Sequence, residues 1–331
     1  MMAEALSALG HRPVGFVYGE AIPAGVDFVL SHGPHGEPLP LWQQVARIPA
    51  RSRPTVVHWN TEGFPDLHLP SRLMWAVAAH RSRLGQWKHN GRGWQHTLGQ
   101  RPPISWVDGR MRRFRFIGDY DVAIQQGLVE VLADSSQIYG RLFAQRGMPT
   151  VYLPWGATPM VYADLRLDRD IDVLWMGTRG TKRRSRLLDR VRRELEAYGV
   201  EIYVADNEEN PFIFGETRTR FLNRAKITLN ITRTWYDDNF SRFAYAAPNR
   251  SLVVSEPVLP HCPEYEAGTH YISAPIDRLA EAIAYYVTHD EEREVIVENA
   301  YKLCTSELAL RRGIARLMRA AVAHREHNGP S

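Results

Sequence analysis

Two α/β domains in tandem, each built on a parallel sheet, are what this sequence predicts. Three observations carry the prediction. Short apolar runs alternate with helix-length segments in both halves, the pattern of βαβ units. A stretch punctuated by Pro154, Gly156 and Pro159 separates the halves. The 331 residues are enough for two domains of ordinary size, each with its own core.

In the first half, residues 14–18 and 28–30 are short apolar runs bounded by Gly and Pro, and 55–59 (TVVHW) is a third. All three predict buried strands. Residues 73–80 predict a helix. Residues 86–103, rich in Gly, Trp, His and Gln without a period, predict a long loop. Helices are expected over 123–132 and 138–146, and a late strand over 150–153. Residues 154–168 form the expected connection, with Trp155 and Gly156 in its first turn. In the second half, strands are expected at 171–176, 200–204, 227–231 and 252–254. Helices are expected at 183–197, 216–225, 241–247 and 277–288, followed by a basic terminal helix over 307–323.

Hydrophobic content of 44% and charged content of 24% are those of a globular chain. No apolar run reaches the roughly 18 residues of a membrane span. The first residues show no basic stretch followed by a long apolar run, and Cys262 and Cys304 lack metal-ligand spacing. Together these predict a cytoplasmic, reducing location with free thiols. The net charge is +4 and the pI is near 9.1. The basic excess is concentrated at 110–115, 182–193 and the last helix. Such a surface suits a phosphate-bearing ligand and admits peripheral membrane contact. No nucleic-acid-binding signature accompanies it, so nucleic acid is not expected as a partner.

Ligands of open α/β sheets sit outside the carboxyl ends of the strands. Four groups of residues fall at such ends. Gly177-Thr178-Arg179-Gly180 follows a strand and precedes a helix whose start carries Lys182 and Arg183. Glycine lets the backbone approach a phosphate, the helix N-terminus offers free N–H groups, and the cations add charge-assisted bonds. The same residues would serve equally as a tight turn before a solvated helix. Asn230 and Glu256 end two further apolar runs. His58, Asn60 and Glu62 follow TVVHW, where His58 and Glu62 are candidates to position or deprotonate a hydroxyl. Asp119 and Asp121 bracket Tyr120 but lack a third ligand, so no metal is expected.

The order D-V-L-x-x-G at 172–177, R-x-x-x-L-x-x-A-K-I-x-L-N-I at 218–231 and S-R-x-x-x-x-x-x-N-x-x-x-V-V-S-E at 241–256 resembles the C-terminal half of GT-B glycosyltransferases. Among these it is most similar to the bacterial CgeB-like, family 1-type group. The likeness runs on to Tyr301; the first half matches more weakly, through HWNTEGF at 58–64 and through 119–162. The resemblance implies two Rossmann-like domains with an interdomain cleft. Residues 1–158 would bind the acceptor, 159–306 would bind a nucleotide-sugar donor, and 307–331 would form a helix crossing back to the first domain. It implies metal-independent sugar transfer with no cofactor beyond the donor, and it favours retention. Gly177, Thr178, Arg179, Lys182, Asn230, Arg242, Tyr245 and Glu256 are the residues expected to bind the donor, Arg179 or Lys182 together with Arg242 on the diphosphate and Glu256 on the ribose. Two departures stand out: Tyr245 aligns where many retaining members carry a glutamate, and Thr232 where related chains place a histidine. The alternative reading is a non-catalytic protein of the same fold that binds a nucleotide-sugar, a glycan or a protein partner.

Overall fold

The structure is a computed structural model that describes residues 1–331 except 17, 18, 34–37, 91, 92, 103–105, 107–110, 239 and 329–331; the side chains of 88–90, 95, 99, 100, 112 and 328 also lie outside the description. The chain divides into two compact units. One comprises Pro13–Leu153 with Arg316–Ser331, the other Met1–Arg12 with Pro154–Ala315.

The first of these units carries a four-stranded sheet of β1 (Phe28–His32), β2 (Thr55–Asn60), β3 (Val131–Asp134) and β4 (Thr150–Tyr152), in that spatial order. Every pairing is parallel. All six residues of β2 and all four of β3 are buried, as expected where helices cover both faces of a parallel sheet. Helices Pro38–Ala46, Ser71–Asn90, Arg112–Gln125 and Gln137–Gln145 supply the cover. Their apolar faces meet in a core that includes Trp42, Phe64, Trp75, Tyr120, Tyr139 and Phe143. Helices Ser71–Asn90 and Arg112–Gln125 approach closely because Gly118 has no side chain. A Cβ there would stand 2.1 Å from the Ala78 carbonyl oxygen.

Three expectations for this half are corrected. Residues 14–16 form no strand, and Val14 is exposed; the rest of that run, 17 and 18, lies outside the described residues. The expected loop at 86–103 is largely helical. Helix Ser71–Asn90 runs into it, and Trp94–Gln100 follows Gly93, whose φ of +62° breaks the helical path. No apolar period is visible there because Trp94 faces outward. The helix expected at 123–132 begins earlier, at Arg112, and stops at Gln125. Gly127, at φ +61°, ends the turn, and Leu132 belongs to β3.

The other unit holds a five-stranded, wholly parallel sheet ordered β6-β5-β7-β8-β9: β5 (Ile171–Met176), β6 (Ile202–Ala205), β7 (Ala225–Asn230), β8 (Leu252–Ser255) and β9 (Ile272–Ser273). Helix Lys182–Glu196 is strongly basic outside yet buries Leu188, Val191 and Leu195, spaced three and four apart, on the sheet. Helices Gly215–Arg224, Ser241–Ala246, Leu279–Thr288 and Asp290–Lys302 complete the layers, and helix Leu310–Asn328 ends the chain. The chain passes from β5 to β6 on one side of the sheet, then to β7 on the other. That reversal makes the gap between the ends of β5 and β7 a topological switch point, where such sheets bind ligands.

Candidate functional site

At this switch point lies Arg242, near the start of helix Ser241–Ala246 and only 7% exposed. Its guanidinium bridges the two strand ends. Nε donates to the Met176 carbonyl at 3.1 Å. Nη1 donates to Asn230 Oδ1 at 3.0 Å and to the Ile231 carbonyl at 3.3 Å. Underneath, the guanidinium lies 4.3 Å from the ring of Trp175, a favourable cation–π distance. Nη2 has no hydrogen-bond acceptor among the described residues, and it lies 3.2 Å from where a Cβ on Gly177 would stand. Gly177, at φ +115°, holds a backbone conformation that side chains disfavour. Burial pulls the Arg242 pKa well down, helped by nearby Arg184 and opposed by Asp237. The site therefore holds a desolvated cation that an anion would stabilise.

The rest of the site is locked in place. Asn230 Nδ2 donates to Ser255 Oγ at 2.9 Å, and Ser255 Oγ donates to the Glu256 carbonyl at 2.6 Å. Glu256 is buried; its Oε1 accepts from the Thr232 backbone N–H at 2.7 Å and from the Thr232 hydroxyl at 2.9 Å. Arg183 grips the same carboxylate with both Nη atoms, at 3.0 and 2.5 Å. Thr181 caps the following helix, its hydroxyl accepting from Arg184 N at 3.2 Å. Thr178 and Lys182 stand exposed at the rim.

Gly177, Asn230 and Arg242 thus come together, and Glu256 joins them through Ser255, while Thr178 and Lys182 are exposed. Two residues expected here lie elsewhere. Arg179 turns into a ring of carboxylates, with Nε 2.7 Å from Asp206 and Nη1 2.6 Å from Asp189, and Nη2 bonded to Glu209. Its charge is spent on fixing the loop after β6. Tyr245 lies one turn beyond Arg242 and faces helix Gly215–Arg224; the Arg218 guanidinium stacks 3.7 Å over its ring. Trp175, Thr232 and Ser255 were missed as site residues. Thr232 stood out as the place where related chains carry a histidine, and Trp175 lies two before Gly177 in the D-V-L-x-x-G run; nothing marked Ser255.

In the other unit, His58 and Glu62 part company. His58 is fully buried, flanked by the rings of Trp42 and Tyr120. Its Nδ1 is 2.9 Å from Ser31 Oγ, and its Nε2 is 3.1 Å from the Tyr120 hydroxyl. That hydroxyl donates to Asn60 Oδ1 at 3.0 Å, and Asn60 Nδ2 donates to Asp134 at 2.6 Å. The direction of this relay assigns the proton to Nε2. Both ring nitrogens are engaged and no surface is free, so His58 serves the core rather than an incoming hydroxyl. Glu62 is partly exposed, with Oε2 3.6 Å from Arg113.

Burial holds the His58 pKa down to about 3, with nearby His32 adding to the shift and a bond to Ser31 opposing it. His261, bonded to the Tyr236 carbonyl at 3.1 Å, is held down to about 4, chiefly by burial. Below the ordinary value of about 6.5 the unfolded chain binds protons that the folded chain refuses, so stability must fall as pH drops. The expected slope is up to about 1.4 kcal/mol per pH unit for each histidine. Urea unfolding at pH 7 and pH 5 measures it. His58→Gln should lower the midpoint at pH 7 and flatten the pH dependence. An unchanged slope would show that His58 does not set it.

The arrangement defines an α/β protein of the GT-B class: two units with parallel sheets, one of them carrying a buried cation at its switch point. Residues 183–319 match the model of the glycosyl transferase-like family. No curated protein matches the sequence. Solved structures share the fold at low identity. TarM is 10% identical with a TM-score of 0.53, over 89% of this chain and 54% of that one. The sucrose-phosphate synthase of Thermosynechococcus elongatus is 11% identical at 0.52, over 90% and 74%. Anabaena HepE, solved in complex with UDP and glucose, is 11% identical at 0.50, over 90% and 100%. The chain spans about half the length of TarM. Among the described residues no helix is long and apolar enough to cross a membrane.

Proposed function

We propose that this chain transfers a sugar from a nucleotide-sugar to an acceptor hydroxyl without a metal ion, with retention as the outcome the sequence resemblance favours. The observation that carries the reading is the Arg242 guanidinium across the switch point. Its Nη2 is left over beside Gly177, where the absence of a side chain opens the backbone to a phosphate. As the glycosidic bond breaks, negative charge grows on the diphosphate. A preorganised cation there lowers the barrier without reorganisation. Gly177, Thr178, Lys182 and Asn230 are assigned to the same diphosphate. Glu256 is assigned to the ribose, with Arg183 fixing its orientation. Arg179 and Tyr245 are left out of the donor site.

The test is turnover. Incubation with a panel of nucleotide-sugars and simple hydroxyl acceptors should release free nucleotide, and release should survive EDTA. Complete loss on chelation, restored by Mg²⁺, would overturn the metal-free leaving-group chemistry. Tight binding without any release would favour a non-catalytic binding protein. That second reading draws support from Tyr245, which leaves helix Ser241–Ala246 without an acidic side chain.

On the acceptor side, Glu62 is the assigned base, taking the proton from the attacking hydroxyl. Glu62→Gln should cut transfer by about a hundredfold, the lower range for general-base catalysis, while donor affinity measured by calorimetry stays unchanged. Normal transfer in the folded variant would remove Glu62 from the mechanism.

A further inference from the structure

Four successive carbonyls at the end of β5 each have a donor. Met176 O accepts from Arg242 Nε, Gly177 O from the Trp175 indole N–H and Thr178 O from Arg184 Nη1, all at 3.1 Å. Arg179 O accepts from the Thr181 N–H at 2.7 Å. The three donating side chains are buried. They come from three elements, β5, helix Lys182–Glu196 and helix Ser241–Ala246, and converge on one turn.

The amides of the same turn fare differently. The Gly177 N–H donates to the Ala205 carbonyl at 3.1 Å, whereas the N–H groups of Thr178 and Arg179 have no acceptor among the described residues. In a trans peptide the N–H points opposite to the preceding carbonyl. Carbonyls drawn to buried donors therefore turn these two amides away from the core, at a point where Thr178 is exposed. Adjacent outward amides form a small region of positive potential that suits an anion.

Trp175 and Arg184 are themselves held. The Arg184 guanidinium lies 4.0 Å from Asp237 and 5.7 Å from the Trp175 ring. Arg242 lies on the same indole at 4.3 Å. The indole thus serves twice: its ring supports the guanidinium groups, and its N–H fixes the turn.

We propose that Trp175 and Arg184 are positioning residues of the donor site. They hold the Gly177 and Thr178 carbonyls inward, which keeps the Thr178 and Arg179 amides turned toward the diphosphate. The proposal rests on the assignment of a nucleotide-sugar to this switch point. It adds two residues that reach the donor only through the main chain.

The test is calorimetry of the whole chain with UDP and GDP, each beside its nucleoside. Trp175→Phe keeps a ring under Arg242 and the charge of the site, and removes only the N–H. It should weaken diphosphate binding about fivefold, the scale of one neutral hydrogen bond. Arg184→Gln should weaken it about tenfold or more, the scale of a charge-assisted one. Both brace one turn, so the double variant should lose less than the product of the two. The nucleoside carries no phosphate and should bind the parent and the variants alike. Thermal unfolding verifies the fold, and either single variant suffices if the other does not fold. Unchanged diphosphate affinity in a folded variant, or an equal loss for the nucleoside, would overturn the proposal alone. A parent chain that binds neither UDP nor GDP would overturn the donor assignment beneath it.

Discussion

Replacing Gly156 by alanine should destabilise this chain by about 3 kcal/mol or more, the upper range for overpacking. A Cβ on Gly156 would stand 1.4 Å from the Leu308 carbonyl oxygen and 2.5 Å from its carbon. Both are main-chain atoms, so no rotamer can relieve the overlap. Ala157 ties the segment down from both sides: its N–H donates to the Cys304 carbonyl at 3.3 Å, and its carbonyl accepts from Leu310 N–H at 2.9 Å. The backbone would have to part from the turn at Leu303–Glu307 to admit the methyl group. Gly199→Ala is the control. Gly199 sits at φ +67° with open space around it, so it should cost only the left-handed strain, about 1–2 kcal/mol. Thermal unfolding of the two variants separates contact from strain. Equal melting temperatures would mean that the Gly156 contact carries no weight.

The second large effect is expected at Arg242. Arg242→Ala should weaken UDP or GDP binding by about 1.5–3 kcal/mol, the scale of a charge-assisted hydrogen bond. Stability without ligand should change less. Three acceptors, the Met176 and Ile231 carbonyls and Asn230 Oδ1, lose their donor, but a desolvated charge also disappears. Arg242→Lys keeps a charge but loses the planar fork, so it should fall between the two. Calorimetry on the folded variants reads the affinity directly. An affinity equal to the parent's in Arg242→Ala would dissociate the switch-point cation from nucleotide binding.

What could be read in advance followed from burial. β5, β7 and β8 are built around short apolar stretches, and such stretches announce strands covered on both faces. Of the polar residues that end them, Asn230 accepts from Arg242 and Glu256 accepts from Arg183. Arg179 was illegible because its partners, Asp189, Asp206 and Glu209, lie 10 to 30 residues further along. A basic residue in a turn does not announce which carboxylates will claim it. His58 failed for a different reason. The rule that strand ends carry ligands needs a side chain beyond the sheet, and His58 sits two residues before the end of β2, inside the core. Tyr245 shares a short helix with Arg242, and sequence spacing alone could not say that its ring would meet Arg218 instead. The helix predicted at 73–80 runs on to Asn90; that extension and the helix at 94–100 escaped because the outward-facing Trp94 blurs the apolar period on which helix prediction depends.

The division of the chain also dictates an order of assembly. Arg316–Ser331 is grouped with Pro13–Leu153. Arg325 pairs with Asp27 at 3.2 Å, and its guanidinium lies 5.6 Å from the Phe28 ring at the edge strand β1. During synthesis the sheet of β1 to β4 is therefore translated early, but its last packing partner is not. At about 5–20 residues per second, that partner emerges roughly ten to thirty seconds later. Until then the edge of β1 lacks its final cover on the ribosome, so the unit translated first is completed last.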